Sequence, residues 1–169
     1  LTSRTGGTGL FRGINMHGTL FETSTEAMNR PPAIQPVINA AQQFVVVKAP
    51  IARVYEQWSR IEDLPRFITA IREIQRIDDA HFSYVWHLNG EEEKGIFHIV
   101  LQIPGRRIAW RTISDGFMSG VVFFEPHSEK ETEVTLKIRS IFDPPNLSRR
   151  VEEYLGNFKR LVEKEESRI

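Results

Sequence analysis

The side chains able to do chemistry in this chain are its histidines, its tyrosines and tryptophans, and two runs of carboxylates. Side chains alternate between the faces of a strand, and this decides where three of the histidines point. In His81–Leu88, Phe82, Tyr84, Trp86 and Leu88 share one face, while His81, Ser83, Val85 and His87 share the other. In Gly95–Ile103, Phe97, Ile99, Leu101 and Ile103 oppose His98 and Gln102. With the apolar faces inward, His81, His87 and His98 point outward. That argues against a buried histidine catalyst and against a metal centre, for which no ligand spacing exists either. His17 lies in a glycine-rich segment and reads as solvated or locally hydrogen-bonded. The runs Glu91-Glu92-Glu93 and Glu163–Glu166 read as solvated charge.

Four side chains combine an apolar body with a polar tip: Tyr84, Trp86, Trp110 and Tyr154. Such a tip wants a partner when buried, and a ligand carbonyl or hydroxyl, the backbone or water can supply it. Thr112 shares the face of Trp110, whereas Arg111 has the opposite parity and Arg106 and Arg107 flank a turn, so the arginines read as surface. Together with Trp58, Phe67, Phe97, Phe124 and Phe158, these aromatic residues either line a cavity or fill a core. No Gly-x-Ser-x-Gly elbow, phosphate loop or dinucleotide motif is present. The chain has no cysteine, which removes disulfides, thiolate nucleophiles and cysteine metal sites. Neither catalytic residues nor a cofactor are expected.

The elements that must position these residues are legible in the spacing. Phe44-Val45-Val46-Val47 is a β-branched run of strand type. Ile51, Val54, Tyr55 and Trp58 recur as one helical face over Pro50–Ser59. A short acidic turn follows, and Leu64-Pro65 opens a second short helix reaching Ala70. Strands are then predicted at Ile71–Ile77, His81–Leu88, Lys94–Ile103, Arg106–Ser114, Phe117–Glu125 and Thr132–Phe142. Asn89-Gly90 and Asp115-Gly116 are hairpin pairs, and Pro104-Gly105 suits the centre of a type II turn. Links this short force an antiparallel meander, because parallel links need roughly a dozen residues or more. From Leu147 onward, Val151, Tyr154, Leu155, Phe158, Leu161 and Val162 form one helical stripe. A sheet with one apolar face must cover it, and only this helix is long enough. The space between them is a natural ligand site.

Residues 1–41 differ in character. Glycines at 6, 7, 9, 13 and 18, then Pro31, Pro32 and Pro36, describe an arm or linker with one helical turn near Thr23–Met28. Its Leu10, Phe11, Ile14, Leu20 and Phe21 are apolar enough to dock. The domain proper is placed at 42–169. The formal charge is zero, with 22 basic and 22 acidic side chains, so a phosphate-binding role is a poor fit and no nucleic-acid partner is expected. No stretch approaches the ~20 apolar residues of a membrane span. The lack of cysteine agrees with a reducing, cytoplasmic setting.

Three segments resemble one known family. A-P-I-A-R-V-Y-E-Q-W-S-R-I-E-D-L-P-R-F (49–67), P-G-R-R-I-A-W-R (104–111) and G-V-V-F-F-E-P (120–126) are similar to the polyketide cyclase/dehydrase branch of the START-like (SRPBCC, Bet v 1-like) superfamily. The resemblance covers about residues 43–163. It implies an α+β helix-grip fold: a curved seven-stranded antiparallel sheet round a long C-terminal helix, with two short helices after the first strand. It also implies a bacterial hydrophobic-ligand protein of the lipid-transport, coenzyme Q-binding or aromatase/cyclase kind. The chain departs from the family at K-G-I-F-H-I-V (94–100), where members often place a Trp and an acidic residue. The segment L-F-R-G-I-N-M-H-G-T-L-F (10–21) resembles one that precedes such domains in membrane-associated bacterial proteins. That second likeness implies a longer natural chain with an upstream membrane tether.

The expectation is therefore a carrier or sensor of a lipid, quinone or polyketide-like molecule. The ligand-facing residues expected on the helices are Trp58, Phe67, Tyr154 and Phe158. Those expected on the strands are Tyr84, Trp86, Phe97 and Ile99, then Trp110, Thr112, Phe124 and Ile138. The alternatives are a cyclase or dehydratase, which needs an inward acid–base pair, and a protein-interaction module. Exposed edge strands also invite a homodimer.

Overall fold

Seven strands follow from the turn chemistry. The computed structural model describes residues 38–113 and 117–168. The strands are β1 (Asn39–Val47), β2 (Ile71–Arg76), β3 (His81–Leu88), β4 (Glu91–Ile103), β5 (Arg107–Thr112), β6 (Met118–Ser128) and β7 (Glu131–Ser140). All pair antiparallel in the order β1-β7-β6-β5-β4-β3-β2. Asn89 and Gly90 take φ of 52° and 82° and close the β3–β4 hairpin in two residues. Gly105 at φ 70° supplies the left-handed corner between β4 and β5, and the Arg106 N–H donates back to Ile103 O at 2.9 Å. The Asp115-Gly116 pair, the arm through residue 37 and its expected turn near Thr23–Met28 lie outside the described residues.

Two helices cover the concave face: α1 (Ile51–Ser59) and α2 (Leu147–Glu166). Pro50 stands just before α1 in extended backbone, and its carbonyl accepts the first helical N–H groups, from Arg53 and Val54. The helix expected over Leu64–Ala70 is instead a 3-10 helix over Ile61–Arg66. Ile61, Leu64 and Phe67 recur every third residue, so the tighter helix aligns all three on its buried side. The stretch is too short to propagate an α-helix before β2 begins. α2 buries Leu147, Val151, Tyr154, Leu155, Phe158 and Val162 against the sheet.

Several strand limits move. β1 begins at Asn39, ahead of the β-branched run, because pairing with β7 carries the weak strand formers Asn39–Gln42. β4 begins at Glu91 rather than Lys94, since a two-residue turn leaves no loop for the three glutamates. β6 passes through Pro126 to Ser128, where a register irregularity next to the proline absorbs its missing N–H. The largest correction concerns β4. An extra residue between Ile99 and Leu101 reverses the alternation. Leu101 consequently turns to the outer face, 37% exposed, while Gln102 donates to the Tyr55 hydroxyl at 3.0 Å. The histidines keep the expected outer face, with His81 and His98 stacked at a centroid distance of 4.5 Å.

Polar contacts fasten α2 to the end of β1 and to the two short helices. Lys159 Nζ donates to Val46 O at 2.7 Å and to Glu163 at 2.6 Å, and Glu163 accepts the Lys48 N–H at 2.8 Å. Glu165 accepts from Arg53 of α1 and from Arg66 of the 3-10 helix. Burial alone would raise both carboxyls, but these donors outweigh it and hold both below their ordinary 4.5. The folded value thus lies below the unfolded one. Their stabilisation is present above pH 4.5 and disappears as the pH falls through the folded values. The urea midpoint is expected to drop between pH 7 and pH 3.5. Glu163→Gln should shrink that drop, and an unchanged drop would assign the acid sensitivity elsewhere.

Candidate ligand cavity

Every layer of the fold contributes a wall to one internal space of about 60 Å³. From the helical side come Trp58 of α1, Ile61 and Leu64 of the 3-10 helix, Ile68 beyond it, and Tyr154 of α2. β2, β3 and β4 supply Ile71, Tyr84, Trp86, Phe97 and Ile99. β5, β6 and β7 supply Ile108, Trp110, Thr112, Met118 and Ile138. The lining is almost wholly apolar, and no charged side chain belongs to it among the described residues. Trp86, Ile99, Trp110 and Thr112 remain partly exposed and mark the side nearest solvent.

Nine of the twelve expected residues meet in this space: Trp58, Tyr84, Trp86, Phe97, Ile99, Trp110, Thr112, Ile138 and Tyr154. The other three do not reach it. Phe67 and Phe158 pack on Trp58 at centroid distances of 4.9 and 4.8 Å and on each other at 4.9 Å. Phe124 meets Trp58 edge-on at 6.3 Å and Tyr55 at 5.5 Å. These rings form a solid aromatic plug that closes one end of the cavity. Six aliphatic wall residues were not among the expected set: Ile61, Leu64, Ile68, Ile71, Ile108 and Met118. Ile108 shares the parity of Trp110 and Thr112, so the alternation along β5 does point to it.

Trp110 owes its position to Gly120, its direct neighbour across the β5–β6 ladder. The indole lies over the glycine so closely that a Cβ there would fall 2.2 Å from Trp110 Cζ2. Thr112 is spent on the same hairpin, donating to Met118 O at 3.3 Å and accepting the Met118 N–H at 3.0 Å. Its hydroxyl is therefore committed to the backbone.

Two buried polar atoms of wall residues find no acceptor among the described residues, Trp86 Nε1 and the Tyr154 hydroxyl, whose oxygen faces the donating Arg150 guanidinium. Burial pushes the Tyr154 phenol up to about 12, although the Arg150 charge one turn earlier on α2 pulls the other way. Tyr154 thus keeps its proton throughout the physiological range. Arg150 forms a clasp. Its Nε donates to Asp143 Oδ2 at 2.6 Å, and another nitrogen donates to Asn89 Oδ1 at 3.2 Å. Asp143 also accepts from Asn146, and these bonds hold its carboxyl below the ordinary range. Asn89 and Asp143 are the described non-glycine residues with positive φ, at 52° and 43°. Asn and Asp tolerate that region best. The clasp joins the β3–β4 turn to α2, and β3 and α2 carry the two donors.

A family model described as polyketide cyclase / dehydrase and lipid transport matches residues 47–163. The chain belongs to this family. Among curated relatives of this polyketide cyclase/dehydrase domain is an "uncharacterized 17.2 kDa protein in melC2-rnhH intergenic region" of Streptomyces lincolnensis. It is 28% identical over 124 residues, covering 73% of this chain and 81% of the relative. Solved structures share the fold. A Deinococcus radiodurans protein gives a TM-score of 0.64 at 23% identity, over 75% of this chain and 98% of that one. The Zhui aromatase/cyclase from Streptomyces sp. R1128 gives 0.62 at 15% identity, over 76% and 95%. A START superfamily protein from Mycobacterium smegmatis gives 0.62 at 12% identity, over 76% and 97%. The polyketide cyclase/dehydrase domain therefore has the helix-grip architecture its motifs imply. Among the described residues, no helix is long and apolar enough to cross a membrane.

Proposed function

We propose that this domain binds an apolar small molecule between its sheet and α2, as a carrier or sensor. One observation carries the reading: an apolar cavity persists in the core although aromatic side chains already plug one end of it. Natural cores close at near-crystalline density, so a persistent space with walls from every layer is a feature worth a function. Its driving force is apolar burial, ~25 cal/mol per Å². At about 60 Å³ the space takes the volume of a few waters, so a larger guest needs the partly exposed wall at Ile99 and Trp110 to give way. The family description and the aromatase/cyclase neighbour support a hydrophobic guest of lipid or polyketide type. A cyclase reading asks for an acid–base pair facing the guest. The described wall offers tyrosines and one committed threonine, and the Tyr154 phenol holds its proton too tightly to act as a base near pH 7.

Native mass spectrometry of the purified chain is expected to show a co-purifying hydrophobic compound, released unchanged on denaturation. Ile99→Trp, which fills the cavity, should abolish binding of the neutral probe N-phenyl-1-naphthylamine. Equal probe affinity in the filled variant would sink the proposal.

A further inference from the structure

We infer that the guest is a neutral molecule carrying an acceptor oxygen, such as a ketone, held by donation from Trp86 Nε1 and the Tyr154 hydroxyl. This inference rests on the cavity being a binding site and names what it selects. An indole N–H can only donate, and a phenol with its proton retained donates as well. A buried donor without an acceptor is costly, while the same donor aimed at a ligand oxygen gains about ten-fold in affinity. Both residues belong to the wall of one apolar space, Trp86 from the sheet on β3 and Tyr154 from the covering helix α2. A guest that bridges them ties sheet to helix from inside, as the Arg150 clasp does from the rim.

Charge sets the second half of the selection. Arg150 is the cation acting on Tyr154, but Asp143 already neutralises it at 2.6 Å and Asn89 occupies a further nitrogen. No charged side chain lines the cavity among the described residues. A carboxylate entering it would be desolvated without a counter-charge, which is far costlier than desolvating a ketone. Free fatty acids and other anionic amphiphiles are thus disfavoured, whereas neutral carbonyl compounds satisfy both donors.

The test uses the full chain and three single-ring probes of matched size: toluene, acetophenone and benzoate. Titrations at pH 7 are followed by calorimetry and ligand-observed NMR. Acetophenone is expected to bind at least ten-fold tighter than toluene and than benzoate. The acetophenone-to-toluene ratio should fall toward one in Trp86→Phe and in Tyr154→Phe, which keep ring and shape while removing the donor. Equal affinity of the folded wild type for toluene and acetophenone would show that water or the backbone satisfies the donors, and would overturn the inference while leaving apolar binding intact. Benzoate binding tightest would overturn it too. If none of the three saturates the protein, the cavity is not a binding site and both readings fail.

Discussion

Alanine in place of Phe158 is expected to lower the unfolding free energy by about 3–5 kcal/mol. That is a large share of the roughly 5–15 kcal/mol a domain of this kind possesses. Phe158 is fully buried at the centre of the plug, in contact with Trp58 and Phe67. Two forces set the size of the loss. Removing the ring forfeits its transfer free energy, and the rigid indole and phenyl neighbours cannot collapse into the hole. Phe158→Leu should cost far less, about 1.5 kcal/mol, because most of the volume stays. Urea denaturation with a constant slope is the measurement. Were Phe158 a ligand-lining residue instead, alanine would change probe affinity at little cost in stability. A loss below 1 kcal/mol would favour that view over the plug.

Gly120→Ala is expected to be the second large effect, and its cause is steric alone. Gly120 does not take a positive φ, so an alanine backbone fits. Its Cβ, however, would sit 2.2 to 2.8 Å from three atoms of the Trp110 ring. The indole has to leave the sheet surface, and overpacking of this sort costs about 1–3 kcal/mol. Since Trp110 is a cavity wall, the displaced ring also intrudes on the guest, so N-phenyl-1-naphthylamine affinity should fall in parallel. The double-mutant cycle with Trp110→Leu isolates the clash. In the leucine background Gly120→Ala should be nearly neutral. A cost that persists there would place the strain in the backbone.

The architecture was legible because its signals were local. Asn89-Gly90 and Pro104-Gly105 name their turns, and the stripe from Leu147 to Val162 names its helix. Parity placed Tyr84, Trp86, Phe97, Trp110 and Thr112 on one wall, and the structure gathers them there. What stayed hidden depends on neighbours distant in sequence. Nothing in Ile99-Val100-Leu101 announces an extra residue, since the irregularity arises only from the register against β5. Phe67, Phe124 and Phe158 look like any other wall aromatic until Trp58 is seen to occupy the space among them. The value of Gly120 likewise appears only once Trp110 lies across it. The Arg150 clasp unites a hairpin tip and a helix start that no spacing rule connects.

One pairing carries a consequence for how the chain is made. β1, the first of the described strands to be synthesised, has a single neighbour among them, β7, with Val47 opposite Thr132. It therefore emerges from the ribosome without a mate and waits until nearly the whole meander has been translated. The helix that covers it comes later still, with Lys159 reaching Val46 only near the end of the chain. Non-local pairings of this kind are slow to form, and lone strands are prone to stick to other chains meanwhile. The stretch Asn39–Gln43, which has no large apolar side chain, and the modest length of the β-branched stretch keep that waiting strand from being a long sticky one. Completion of the sheet at its β1–β7 edge is thus a late event, and the cavity is walled only when α2 brings in Tyr154.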